Sequence, residues 1–190
     1  MEGRVERRDQ ILDVAARLFA ERGFHGVSVD DIGKAVGVSG PALYKHFDSK
    51  DAVLAEMLVA ISERLLAEGQ ERVELAAGPS QALAALVDWH VEFALAQPSL
   101  IVVQDRDWQS LPAEARERVR SLQREYVDLW AAQLRRQHRR VALDEARAMA
   151  HATFGLINST PHSSRLPSEA MRTLLREMAL RSLGLSSLGP

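Results

Sequence analysis

The chain has 190 residues, 46% of them hydrophobic and 26% charged, with a formal net charge of −2 and no cysteine. That supplies one sizeable core, or a small head joined to a larger body, and excludes a disordered tail, disulfides and thiolate metal sites. No apolar run reaches the roughly 18–20 residues of a bilayer span, and the polar start MEGRVERRDQ is unlike a secretory signal, so a cytoplasmic protein without a membrane partner is expected.

The predicted elements begin with a helix from about Glu6 to Arg22, on which Ile11, Leu12, Ala15, Leu18 and Phe19 form one apolar stripe. Gly23 ends it, and Phe24 and Val27 cover the base of a small core. Ser28 followed by Asp31 is a capping-box pattern, so a second helix starts near Val29 with Ile32, Ala35 and Val36 on one face. Gly37 supplies the permissive backbone that ends it, and Val38 plugs the corner. Ser39 then caps a third helix, with Pro41 tolerated in a first turn that needs no amide hydrogen. Leu43 and Phe47 face inward, while Pro41 and Lys45 face outward, flanked by Ala42 and Tyr44. A short helix carrying a cation, a phenol and small groups outside has the dimensions to enter a DNA major groove; a surface helix of a bundle gives the same local pattern.

Ser49 caps a long fourth helix with Leu54, Leu58, Ile61 and Leu65 on its stripe, reaching about Val73. Lys50 in its first turn opposes the helix dipole unless an anion sits there, which suits a DNA phosphate; a solvated lysine relieved by Asp51 is the other reading. Ala76-Ala77-Gly78-Pro79 is the clearest break, after which Ser80 is placed to cap a helix running to about Gln97. A short segment over 99–109 precedes Pro112, and Val119, Leu122, Tyr126 and Leu129 mark a long helix to about Gln137. Two further helices, over 143–159 and 167–183, flank a loop over 160–165. No strand pattern, repeat or low-complexity tract interrupts this all-α reading.

The run Arg17-Leu18-Phe19-Ala20-Glu21-Arg22-Gly23-Phe24, the Val29 and Ile32 pair, Gly37-Val38-Ser39, Leu43-Tyr44 with His46-Phe47, and Ser49-Lys50 carry a family likeness. From about Arg7 to Leu54 the sequence resembles the DNA-binding domain of TetR-family transcriptional regulators. The resemblance implies an all-α protein of about nine helices, with a helix-turn-helix DNA-binding domain over residues 1–50 and a ligand-binding and dimerisation domain over 51–190. It implies a homodimeric repressor on a near-palindromic double-stranded DNA operator, released when a small apolar ligand fills the body. On this reading Ala42 and Lys45 face base edges, Ser28, Tyr44, His46 and Lys50 hold the backbone, and Ser39, Gly40 and Pro41 complete the interface. Arg4, Arg7 or Arg8 reach an adjacent groove or phosphate. Gly40 stands where related reading helices often carry a larger polar side chain, so fewer base contacts and more reliance on DNA shape are expected. The cations of residues 1–50 are matched by equally many acids, which predicts a modest salt dependence.

Beyond the head, Trp89, His90, Phe93, Trp108, Tyr126, Trp130 and Phe154, with Asn158, concentrate nearly all the large rings. They predict either an apolar chamber with a few polar anchors or a filled core. Arg106 stands either at a pocket mouth, to meet a carboxylate or phosphate, or in a self-paired surface knot with its acidic neighbours. The pattern from Val103 through Trp130 is similar, over few positions, to body domains of actinobacterial regulators answering to fatty-acyl or sterol-derived coenzyme A thioesters. That implies a ligand such as an acyl-CoA. Ala148, Ala152, Gly155 and Ser159 give one helix a narrow face of small residues, and Met171, Leu174, Leu175 and Met178 give the next a fatter stripe. Core packing explains both, and so does a four-helix dimer interface, which the family resemblance favours. No phosphate-cradling glycine loop, nucleophile elbow or HExxH occurs, and the histidines lack metal-ligand spacing, so no enzyme, cofactor or metal is expected. The different-class alternative is a helical lipid or acyl-thioester binding protein whose neutral head docks a protein.

Overall fold

A computed structural model describes residues 2–38, 43–163 and 165–185, with side chains from Arg7 onward. Among the described residues the structure is all-α, without strands. The helices are α1 (Glu2–Arg22), α2 (Val29–Val36), α3 (Lys50–Leu75), α4 (Pro79–Ala96), α5 (Pro98–Asp107), α6 (Ala113–Gln137), α7 (Leu143–Ile157), α8 (Thr160–Ser163) and α9 (Ser168–Ser182), with a 3₁₀ turn over Trp108–Ser110.

Local chemistry accounts for several helix ends. At the start of α2 the Ser28 hydroxyl accepts from the Asp31 amide at 3.1 Å, and the Asp31 carboxylate accepts from the Ser28 amide at 2.9 Å. Gly37 ends α2 at φ 78°, in the left-handed region open to glycine. The Ser49 hydroxyl accepts from the Ala52 amide, capping α3. Two boundaries differ from expectation. Helix α4 begins with Pro79 after Gly78 instead of being capped by Ser80, because proline's fixed φ suits a first helical position. The loop expected over 160–165 contains the short helix α8, where the buried Thr160 hydroxyl donates to the Ala94 carbonyl at 3.1 Å.

The chain divides into two units, Met1–Ile61 with Ser99–Val119, and Ser62–Pro98 with Arg120–Pro190. In the first unit, α1 packs on α2 around Ile11, Phe19, Ile32, Leu43, Phe47 and Leu54, all buried. The Phe19 and Phe24 rings meet edge to face at 5.3 Å. Helix α5 belongs to this unit through Arg106, whose guanidinium donates to the carbonyls of Phe19 and of Ala20 (3.0 Å) in the last turn of α1. The buried Asp107 carboxylate accepts from the same guanidinium at 3.2 and 3.3 Å. Ser110 adds a hydroxyl contact of 3.2 Å to the His25 ring.

In the second unit, α9 packs on α4 and α7, and α4 packs on α7. The Arg176 guanidinium pairs with Asp88 at 2.7 Å across α9 and α4. Gly69, buried in the middle of α3, meets Tyr126, Leu129 and Leu86. A β-carbon there would lie 2.9 Å from Tyr126 Cε2 and 3.2 Å from Leu129 Cδ2, so glycine permits this approach.

Two stability outcomes follow from these contacts. Gly69→Ala lowers the unfolding free energy by about 1–3 kcal/mol in urea melts through overpacking, although alanine is the better helix former by about 1 kcal/mol. Arg106→Ala lowers it by about 2 kcal/mol by leaving the buried Asp107 carboxylate without its guanidinium and removing one donor from each of two helix-end carbonyls. Arg106→Lys recovers only part, since an ammonium lacks the planar fork.

Candidate functional site

The second half of the expected helix-turn-helix presents a sharp inside and outside. Leu43 and Phe47 are buried, while Tyr44 is 54% exposed and Lys45 is exposed beside it. The Leu43 carbonyl accepts from the amides of His46 (2.8 Å) and Phe47 (3.1 Å), which closes this turn over the core. Ser39, Gly40, Pro41 and Ala42 lie outside the described residues, as does the Arg4 side chain.

Several cations and donors expected on DNA are engaged within the head. Lys50 donates from Nζ to the carbonyls of Phe24 and Val27, both at 2.8 Å, and its ammonium lies 4.3 Å from the centre of the Phe24 ring. Lys50 is not the solvated lysine of the other reading: the loop between α1 and α2 offers two inward carbonyls, and the ammonium donates to both. Ser28 is corrected likewise, because its one hydroxyl proton goes to Asp31 Oδ2 at 2.6 Å. These contacts hold the Asp31 carboxyl below the usual carboxylate range. Arg8 makes a bidentate pair with Glu56, donates to the His46 carbonyl and lies 4.3 Å over the Phe47 ring. The Glu56 hydrogen bond raises its pKa further, and the residue ties α1 to α3 and to the Tyr44 turn rather than reaching for a groove. His46 is half-buried, and its Nδ1 is buried without a partner among the described residues.

In the second unit the ring cluster centres on His90. Its imidazole stacks on Phe154 at 4.7 Å and on Tyr126 at 5.8 Å, and meets Phe93 and Trp130 edge-on at 5.7 and 6.2 Å. His90 Nε2 lies 3.2 Å from Asn158 Oδ1, and Nδ1 lies 3.4 Å from the Tyr126 hydroxyl. Burial pushes the His90 pKa down to about 4, opposed by the Asn158 hydrogen bond, so the ring is neutral at pH 7. Burial likewise raises that of Tyr126.

The structure thus gathers His90, Phe93, Tyr126, Trp130, Phe154 and Asn158. Trp89 instead donates from Nε1 to the Leu65 carbonyl at 3.3 Å, with the Arg72 guanidinium 4.6 Å over its ring. Arg106 and Trp108 belong to the first unit, whereas the cluster belongs to the second. Arg106 is corrected as a ligand residue, because the end of α1 and Asp107 take up its donors.

On α7, Ala148, Ala152 and Gly155 are exposed and Ser159, just beyond it, is half-buried; on α9, Leu174 and Met178 are 40% and 46% exposed. Met171 and Leu175 turn the other way and are buried in their own chain, which corrects their expected place at an interface. The stripe read as one face is two, since residues three or four apart share a face and neighbours lie about 100° round. Sequence reasoning missed Gly69, whose signal was a lone glycine inside a strong helical pattern, and Glu56, whose partner is 48 residues away. No group of three or more metal-ligating side chains gathers among the described residues, and no single helix there is long and apolar enough to cross a membrane.

The comparisons agree with this architecture. Residues 11–57 match the family model of bacterial regulatory proteins, tetR family, and residues 76–162 match the tetracyclin repressor-like C-terminal domain. The HTH-type transcriptional repressor KstR2 of Rhodococcus jostii is 35% identical over 129 residues, which are 67% of this chain and 63% of that relative's length. The chain therefore spans somewhat less than two thirds of that protein. A TetR-family transcriptional regulator from Bordetella parapertussis superposes with a TM-score of 0.81 at 27% identity, over 95% of this chain and 97% of the other. FadR of Bacillus subtilis, solved with stearoyl-CoA, shares the fold with a TM-score of 0.71 at 19% identity, over 91% and 97% of the two chains. With family models matching both its N-terminal and its C-terminal parts, the chain belongs to the TetR family of bacterial regulatory proteins.

Proposed function

We propose that this chain is a homodimeric transcriptional repressor that binds a near-palindromic operator and releases it when a small apolar ligand such as an acyl-CoA enters the body. The observation that carries the DNA reading is the Tyr44–Lys45 turn, held from inside by Leu43 and Phe47 behind a capped α2 and a left-handed Gly37. It leaves a phenol and an ammonium outward at the end of a helix-turn-helix pattern. Lys50, with one ammonium proton beyond its two carbonyls, is a further backbone donor. Two such heads reading successive major grooves stand about 34–36 Å apart. The exposed small residues of α7 and the exposed Leu174 and Met178 of α9 support a second copy as the partner that sets this spacing.

The ligand reading rests on the His90 cluster, which combines apolar rings with neutral polar atoms, and on the likeness to KstR2 and to the fold that holds stearoyl-CoA in FadR. A ligand acts here only through different affinities for DNA-competent and DNA-incompetent arrangements. The reading with a protein-docking head keeps some support, because Arg8, Lys50 and Arg106 all turn inward.

Gel-shift titration with the DNA flanking the gene tests the DNA reading. Lys45→Ala should cost about 1–3 kcal/mol of operator affinity and relax preference at one half-site position. Tyr44→Phe, which removes only the hydroxyl, should weaken binding evenly across sequences. Undiminished affinity in both folded variants overturns the assignment, and no DNA affinity in the native chain together with acyl-CoA binding supports the docking head.

The buried neutral His90 predicts a pH dependence with a definite sign. The unfolded ring takes up its proton near its ordinary pKa of about 6.5 and the folded ring only near 4. Stability is therefore complete above about pH 6.5 and falls by about 1.4 kcal/mol per pH unit as the pH drops toward 4. Urea melts at a series of pH values check this: His90→Gln should flatten the slope in that window, and an unchanged slope contradicts it.

A further inference from the structure

Between Asp128 and Asp144 the chain carries no acidic residue, and there it places Arg135, Arg136, Arg139 and Arg140 around His138. Arg135 and Arg136 stand in the last turn of α6, where cations complement the helix dipole. Arg139 and Arg140 lie beyond the helix, so the dipole does not account for them. All four are exposed. Arg136 donates to Gln133 Oε1 at 3.0 Å, and none of the four forms an ion pair among the described residues. The acids that follow are Asp144 and Glu145 at the start of α7, and Asp144 already lies 3.7 Å from Arg147. On α9, Glu177 is paired with Arg181. Four cations against those two acids leave residues 135–145 positive in a chain whose net charge is −2.

The turn that displays these cations is built rather than loose. The His138 amide donates to the Leu134 carbonyl at 2.8 Å, and the Val141 amide donates to the His138 carbonyl at 2.9 Å. The His138 ring donates from Nε2 to the carbonyl of the buried Leu183, at 2.8 Å, which ties the turn to the end of α9. Gly184, at φ 69°, lies against the same ring: a β-carbon there would be 3.3 Å from His138 Cε1. A partner therefore has only side chains to order, not the backbone that carries them. Residues 135–142 expose no large apolar side chain, and Leu143 just beyond them is 39% exposed. Protein interfaces and membrane surfaces are gripped through apolar anchors, whereas a phosphodiester backbone is gripped through cations and N–H donors.

We propose that the turn after α6 is a sequence-independent contact for the phosphate backbone of nucleic acid, carried by Arg139 and Arg140 with Arg135 and Arg136 beside them. Fluorescence anisotropy of the full chain on a mixed-sequence DNA duplex lacking the operator, over a series of salt concentrations, tests it. Native chain should bind at low salt with an affinity that falls as salt rises. Arg139→Gln with Arg140→Gln should weaken this binding about tenfold at low salt and reduce the slope of log affinity against log salt by about 2, at unchanged melting temperature. Arg165→Gln with Arg172→Gln removes the same net charge elsewhere and should leave the slope as it is. The head is told apart because Lys45→Ala acts on the preference for operator over mixed duplex, whereas the turn variant weakens both duplexes alike. The proposal is overturned if native chain does not bind the mixed duplex, if the turn variant keeps the native slope, or if the control loses as much. Binding to phosphatidylglycerol vesicles that the turn variant abolishes, with duplex binding unchanged, likewise overturns it in favour of a lipid surface.

Discussion

The geometry of the head depends on how the end of α1 and the loop after it are held. Phe19, Ala20, Phe24 and Val27 present carbonyls that the following helix cannot satisfy in full, and two cations from distant parts of the chain supply donors. Arg106 serves the first two and Lys50 the last two. A cation at a helix C-terminus also complements the helix dipole. Once the loop is fixed, Phe24 and Val27 are pinned into the core, Ser28 is placed to cap α2, and Gly37 turns the chain toward Leu43.

This use of charge explains why a head with balanced cations and acids still has a defined outer face. Arg8, Lys50 and Arg106 work mainly on the inside, on carbonyls and carboxylates, and their partners Glu56 and Asp107 are absorbed with them. Lys45 beside the exposed Tyr44 is left to face outward. Net charge therefore understates how selective the surface is, because it sums groups serving different purposes.

The elements legible in the sequence were those set by neighbours along the chain. The Ser28–Asp31 box, the Gly37 turn, the Ser49 cap and the apolar stripes of α1 and α6 are local patterns, and each forms as read. The destinations of long polar side chains were not legible, because Lys50, Arg8 and Arg106 end on backbone or carboxylate groups that only tertiary packing brings near. The gathering of His90, Tyr126, Trp130 and Phe154 was legible from composition and helix spacing, whereas the engagement of Arg106 by the end of α1 was not. Sequence order places Arg106 between α4 and α6, but packing assigns it with α1. Met171 and Leu175 misled for a related reason, since an apolar stripe tells that a face is covered and not by what.

The second unit sets limits on any molecule that enters it. The rings around His90 touch one another, so a guest must replace their contacts with apolar surface of its own, and a charge carried inside would meet a neutral imidazole and a phenol. The charged part of an amphiphile is thereby kept out of the cluster. Arg120, Arg124, Val127, Asp128, Arg147 and His151 line an open groove between α6 and α7, and His151 also meets Phe154 edge-on at 6.3 Å, so groove and cluster share a wall on α7. Along α6 the same division is written residue by residue: Tyr126 and Trp130 turn into the cluster, while Arg120, Arg124 and Val127 line the groove. One pair of helices thus separates an apolar, uncharged interior from a polar exterior that carries charges of both signs.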